Sequence, residues 1–452
     1  MRGFLWGVST SSYQIEGAPD SGGKGESIWD AFCRQPGRIA DASSGDVACD
    51  SYHRWKEDIA LMRGLGVGAC RFSVSWPRIQ PSGRGPALEA GLDWYRRFAE
   101  GLLAAGIEPW VTLYHWDLPL ALEEGGGWTA RDTAFRFAEY AELVYRALDG
   151  LVSGWATLNE PWCSAFLGYG TGEHAPGRRD PKAAHEAAHH LLLGHGLATL
   201  SFRELLPKGR IGIVLNPATP RPATSRPEDR EAALRASQER TGLWLDPVSG
   251  RGYPSDYLAR RGMEMPVEEG DLDIIAAPLD YVGINYYSED VVSAAPVSPA
   301  CPDGFRYEAS WQGKTEMGWP IVPEGLGRML RSVNDGWSPE ALYVMENGAA
   351  FADGLRDPAD GHVKDPDRIA YLESHIASCL GAAAAGVPVR GYFAWTLVDN
   401  FEWSLGYSRK FGLASLDPAT LDRRPKDSFL FYRDVVAGNV LPRVTTTPGA
   451  SR

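Results

Sequence analysis

Eight short runs of apolar and β-branched residues recur along the chain, most of them followed by sequence of helical character. This alternation restricts the fold more than any other feature. The runs span 4–9, 69–75, 108–114, 155–159, 211–216, 281–287, 341–346 and 389–397, with amphipathic stretches such as 53–65, 89–105, 132–149 and 183–204 between them. Short runs that are apolar throughout suit strands buried on both faces, as in a parallel sheet covered by helices. Eight β-then-α units predict an α/β protein, a closed (β/α)8 TIM barrel, in preference to an open doubly wound sheet. No linker divides the chain, so residues 1–440 are expected to form one catalytic domain with long loops on the active face, and 441–452 a flexible tail. The Pro-rich stretches 217–227 and 296–302 are read as loops over the barrel face.

The strand ends carry residues that a core strand does not need. Gln14 follows the first run, Arg71 lies on the second, His115 and Trp116 follow the third, and Asn159 and Glu160 end the fourth. Asn285 and Tyr287 end the sixth, Glu346 the seventh and Trp395 the eighth, with Glu402 and Trp403 just beyond. In a strand-helix barrel the carboxyl ends of the strands converge on the active face. Two glutamates brought together there suit cleavage of a glycosidic bond, which uses one carboxyl group as acid and the other as nucleophile or base. Taken singly, each Glu is more simply read as a solvated strand end or half of an ion pair. The company of polar and aromatic residues on seven of eight strands argues otherwise.

Composition excludes more than it selects. A net charge of −13 argues against nucleic acid as a partner, since phosphate-backbone affinity comes from Lys and Arg. Six cysteines with no Cys-x-x-Cys pair suit reduced thiols in a cytoplasmic protein. The opening Met-Arg-Gly-Phe-Leu-Trp-Gly does not read as a signal peptide, and the apolar stretch 376–398 is broken at Gly386-Val387-Pro388, so no membrane span is expected. Sixteen Trp and 18 Tyr are unusual, and flat rings are candidate platforms for sugar faces as well as core.

Collinear motifs from about residue 3 to 435 resemble those of family 1 glycoside hydrolases. They are Ser-Ser-Tyr-Gln14-Ile-Glu-Gly-Ala, Arg71-Phe-Ser-Val-Ser-Trp-Pro-Arg-Ile, Tyr114-His-Trp-Asp-Leu-Pro, Thr157-Leu-Asn-Glu-Pro and Gly172-Glu-His-Ala-Pro-Gly. Gly283-Ile-Asn-Tyr-Tyr, Glu346-Asn-Gly and Trp395-Thr-Leu-Val-Asp-Asn-Phe-Glu-Trp complete the set. The resemblance implies a retaining β-glucosidase without cofactor or metal, acting on unphosphorylated β-D-glucosides, with β-galactosides and β-fucosides as secondary substrates. It assigns Glu346 as nucleophile and Glu160 as acid/base. Arg71 and Tyr287 stabilise the nucleophile, and Asn159 bonds the sugar 2-hydroxyl. Gln14, His115, Trp116, Asn285, Glu402 and Trp403 surround the sugar over Trp395, with Trp319 and Phe411 completing the binding wall. Glu402, a double acceptor for hydroxyl groups, would repel a 6-phosphate. One departure stands out: the residue before the second glutamate is usually Thr in this family and is Met345 here.

Other readings compete. His185-Glu186-Ala-Ala-His189 matches the zinc-protease helix signature, in which two imidazoles one turn apart hold zinc and the Glu acts as base. At metzincin spacing the third ligand, His195, is present but position 192 is Leu rather than Gly, and Glu204 is close to, but not at, the place of a gluzincin-like third ligand. Gly64-x-Gly66-x-Gly68 follows a helix rather than a strand, the wrong context for a dinucleotide loop. A non-catalytic sugar-binding barrel would be expected to lack one of the two glutamates, and both are present.

Overall fold

The computed structural model describes residues 3–298, 301–354 and 362–441. The eight runs form eight parallel strands: β1 Leu5–Ser9, β2 Ala69–Ser73, β3 Glu108–Tyr114, β4 Gly154–Asn159, β5 Ile211–Leu215, β6 Tyr281–Asn285, β7 Leu342–Asn347 and β8 Val389–Trp395. Each strand pairs with its neighbours in chain order and β8 pairs with β1, closing the barrel. The pairing Ser9 to Arg71 in β1–β2 and Ser9 to Trp395 in β1–β8 sets the second and eighth strand ends level with the first. Strands β2, β5, β6 and β8 stop one or two residues short of the predicted runs; beyond β5 and β6, Asn216, Tyr286 and Tyr287 line the cavity at the barrel mouth.

Aromatic rings fill the barrel interior. Trp110 sits 4.9 Å from Tyr343, 5.6 Å from Tyr281 and 5.7 Å from Phe393, centroid to centroid. Such a plug leaves space elsewhere only for very small residues: a Cβ at Gly154 would come within 2.4 Å of the Trp110 ring. Trp29, Trp76, Trp110, Trp128, Trp155 and Trp244 are all fully buried, so much of the tryptophan excess serves the core. Removing a ring like Trp110 would cost about 3–5 kcal/mol. Met345 packs in the same inner cluster.

The outer helices follow readable rules. Helix Pro181–Leu205 starts on Asp180, whose carboxylate accepts from the Lys182 and Ala183 amides, with Pro181 in the first turn. Helix Ser51–Leu65 ends on Gly66 at φ 76°, a left-handed cap that accounts for one glycine of the Gly-x-Gly-x-Gly run. The Pro-rich loops contain more than was read from sequence. Arg221–Pro222 joins Val291–Ala294 and Phe305–Tyr307 in a small sheet outside the barrel. Residues 299–300 of the second loop and 442–452 of the expected tail lie outside the described residues. Among the described residues no helix is long and apolar enough to cross a membrane.

Candidate active site

A cavity of about 720 Å³ opens at the carboxyl ends of the strands, with Glu160 and Glu346 both on its wall. Glu346 is held from two sides. Arg71 Nη1 donates to Oε1 at 2.5 Å and the Tyr287 hydroxyl donates to Oε2 at 2.7 Å. Burial pushes the Glu346 carboxyl up, to about 7; the Arg71 charge and the Tyr287 hydrogen bond oppose this, while the Glu160 charge adds to it. Both polar partners favour the ionised form, and a carboxylate so deeply placed needs them.

Glu160 is bonded differently. Asn285 Nδ2 donates to its Oε1 at 2.7 Å and the Cys163 thiol to Oε2 at 3.1 Å. Asn159 links the two carboxylates: its Oδ1 accepts from Arg71 Nη2 at 2.6 Å and from Asn285 Nδ2 at 3.1 Å. The backbone is arranged for this. Against β5, the β4 register shifts between Ala156 and Asn159, and against β6, the β7 register shifts between Val344 and Glu346. Such irregularities re-aim side chains at strand ends. Glu160, Trp116 and Trp403 all have positive φ, 42°, 82° and 49°, which disfavours bulky side chains and persists only where surroundings impose it.

His115 is buried beside Asn159, whose Nδ2 lies 3.0 Å from its Nε2. The amide nitrogen can only donate, so Nε2 accepts and the ring proton belongs on Nδ1. Burial and the Arg71 charge lower the His115 pKa well below the usual value, keeping the ring neutral. Among the described residues Nδ1 then faces no partner, nor does Asn285 Oδ1. On a cavity wall these groups are a donor and an acceptor open to a polar ligand.

The remaining predicted residues divide into wall and support. Trp116, Trp319, Trp395, Glu402, Trp403 and Phe411 line the cavity together with His115, Asn285 and Tyr287. Trp395, Phe411, Tyr287 and Trp319 form one aromatic cluster. Gln14 is completely buried and stands against Glu402, with Nε2 2.9 Å from the Phe401 carbonyl and 3.5 Å from Glu402 Oε2. Arg71 and Asn159 likewise act on the wall from beneath it. Burial raises the Glu402 carboxyl to about 8, and the nearby Glu346 and Glu160 charges add to the effect.

The zinc-protease signature is structural. His185 bonds the Pro181 carbonyl at 2.7 Å and the Tyr257 hydroxyl at 3.1 Å; His189 bonds the Tyr253 hydroxyl at 2.8 Å and Asp271 at 2.9 Å. Glu186 pairs along the helix with Lys182. With both nitrogens of each imidazole engaged, neither ring has a lone pair to offer a metal. Sequence reasoning missed Cys163, Trp162 and Asn216, which also line the cavity. Cys163 and Trp162 directly follow the fourth-strand motif, but nothing in their type marks them as part of a site.

The family description "Glycosyl hydrolase family 1" matches residues 1–440. Beta-glucosidase A of Thermotoga maritima is 45% identical over 97% of this chain and 98% of its own length. A bifunctional beta-D-glucosidase/beta-D-fucosidase of Bifidobacterium breve is 42% identical over 96% of this chain and 98% of its own. The solved family 1 β-glucosidase from Thermotoga maritima superposes with a TM-score of 0.93 at 44% identity, covering 98% of this chain and 99% of that one. The chain therefore belongs to glycosyl hydrolase family 1.

Proposed function

We propose that the protein is a retaining β-glucosidase acting on unphosphorylated β-D-glucosides, with residues 1–440 as one catalytic domain. The observation that carries this reading is the unequal bonding of two carboxyl groups on one cavity wall. Glu346 receives a guanidinium and a phenol, whereas Glu160 receives an amide and a thiol. Glu346, supported as an anion, is the nucleophile that attacks the anomeric carbon and forms a glycosyl-enzyme. Glu160 protonates the departing oxygen, then takes a proton from the water that releases the sugar. Retention asks for carboxyl groups about 5–5.5 Å apart.

Asn159, His115 Nδ1–H and Asn285 Oδ1 are the groups we assign to the sugar hydroxyls nearest the reacting carbon, with Glu402 at the far end as a double acceptor. Trp395 supplies the floor and Trp116 and Trp403 the sides, while Gln14 positions Glu402. Trp319 and Phe411 belong to the wall toward the aglycone. Among the described residues no basic group hydrogen-bonds Glu402, which favours a neutral 6-hydroxyl over a phosphate. The relative from Bifidobacterium breve named for both glucoside and fucoside supports β-fucosides as further substrates.

The test is Glu160→Ala with azide. Aryl glucosides with good leaving groups need little protonation, so they should still glycosylate Glu346, and azide should restore turnover with β-glucosyl azide as product. An α-azide, or no azide product at all, refutes the acid/base assignment.

A further inference from the structure

We propose that Arg240 makes the aglycone side of this cavity selective for β-glucosides whose aglycone is an aromatic carboxylate. This rests on the reading of Glu160 as the acid/base. A group that protonates the leaving oxygen stands at the border between sugar and aglycone, so residues on its outward side face the aglycone. A short chain of contacts leads outward from Glu160. The Cys163 thiol donates to Glu160, Asn216 Nδ2 reaches the Cys163 sulfur at 3.4 Å, and Arg240 Nη2 donates to the Asn216 carbonyl at 3.3 Å. Cys163, Asn216, Trp162 and Arg240 all line the cavity.

Arg240 is incompletely used by the protein. Its guanidinium stacks over the Trp162 ring at 4.7 Å, and the Asn216 carbonyl is its one hydrogen-bond acceptor among the described residues. No carboxylate pairs with it among those residues, and Nε is buried without a partner. The adjacent carboxylate, Glu239, is taken: it accepts from Arg261 at 3.1 Å and from the Trp162 indole at 3.3 Å. Arg71 and Arg78 are matched by Glu346 and Glu16, and although Arg38 and Arg179 also line the cavity without a carboxylate partner among the described residues, Arg240 is the one linked through Asn216 and Cys163 to Glu160. Arg240 therefore offers an unspent cation beside an aromatic plane.

That combination has a chemical complement. A flat ring extends the Trp162–Arg240 stack, and a carboxylate on the ring meets the guanidinium through its forked N–H groups. The requirement is strengthened by the Glu346 carboxylate on the same cavity wall, which Arg71 and Tyr287 support in its ionised form. An anionic aglycone entering such a site is repelled unless a cation stands on its own side of the scissile bond.

Two substrates separate charge from shape: the β-glucoside of 4-hydroxybenzoate and that of its methyl ester. For each, kcat/KM is measured in the wild type and in Arg240→Gln. The ratio of carboxylate to ester, compared between the two proteins, cancels leaving-group differences and any general loss. It should fall by about tenfold in Arg240→Gln, and in the wild type 0.5 M NaCl should lower the carboxylate value more than the ester value. An unchanged ratio overturns the proposal. If Arg240→Gln does not fold, Arg240→Lys serves. The stack and fork are then lost with the charge kept, so the ratio should fall by a smaller factor, and no fall overturns the proposal. Failure of the wild type to hydrolyse either glucoside would instead count against the β-glucosidase reading itself.

Discussion

Glu402 carries a pH dependence of stability that Glu402→Gln should remove. In the folded protein its carboxyl is raised from 4.5 to about 8, first by burial and then by the Glu346 and Glu160 charges, and only the distant Gln14 amide opposes this. Between those values the folded chain holds a proton that the unfolded chain has released. Raising the pH therefore costs stability, which is fully present below pH 4.5 and lost as pH rises through about 8. A dry group shifted this far would account for on the order of 5 kcal/mol, at about 1.4 kcal/mol per pH unit. Glu402 opens onto the cavity and is only partly buried, so solvent screening reduces the effect to about 2 kcal/mol. Gln keeps the shape and has no proton to release. With an unfolding entropy of about 0.9 kcal/mol/K for a barrel of this length, the variant should gain about 2 °C in Tm over wild type at pH 8.5 and almost nothing at pH 4.5. Calorimetric scans of both proteins across that range provide the assay. An equal Tm difference at both ends, or a wild type that gains on the variant as pH rises, would refute the reasoning. Glucoside kcat/KM should fall in the same variant, because a carboxamide replaces one of the two carboxyl oxygens with an NH2 group that can only donate.

Tyr287→Phe removes the hydroxyl that donates to Glu346 at 2.7 Å, leaving one buried oxygen of the proposed nucleophile without its donor. A hydrogen bond to a charged group contributes about 1.5–3 kcal/mol, so kcat for an activated aryl glucoside should drop roughly 10- to 100-fold; a change under threefold would remove Tyr287 from the nucleophile's support. His189→Ala breaks the buried contact with Asp271 and should lower stability by about 2–3 kcal/mol in denaturant titration. Activity per folded molecule should persist in that variant and survive exhaustive treatment with a chelator. Loss of activity on chelation, restored by zinc, would revive the protease-like reading of the His185–His189 helix.

The barrel was legible in the sequence because its cause is local. A strand buried on both faces is dominated by apolar and β-branched residues, and each of the eight runs shows it within a few residues. The candidate carboxyl pair was legible for a related reason: Glu160 and Glu346 interrupt apolar runs where a parallel barrel gathers its strand ends, and the flanking motifs carry the family resemblance. What the sequence could not decide is what depends on meetings between distant segments. The family resemblance set Arg71 against Glu346, but nothing in the sequence says that a second nitrogen of the same guanidinium holds Asn159. Nothing in His189 says that Asp271 and Tyr253 occupy both its nitrogens, which is what turns a zinc signature into a structural contact. The same holds for Cys163 and Arg240, ordinary residues by type, whose importance lies in what stands beside them. The division has a physical origin. Apolar burial follows from the composition of each short run, whereas directional contacts such as hydrogen bonds and ion pairs require two partners in register, and that register exists only once the barrel has closed.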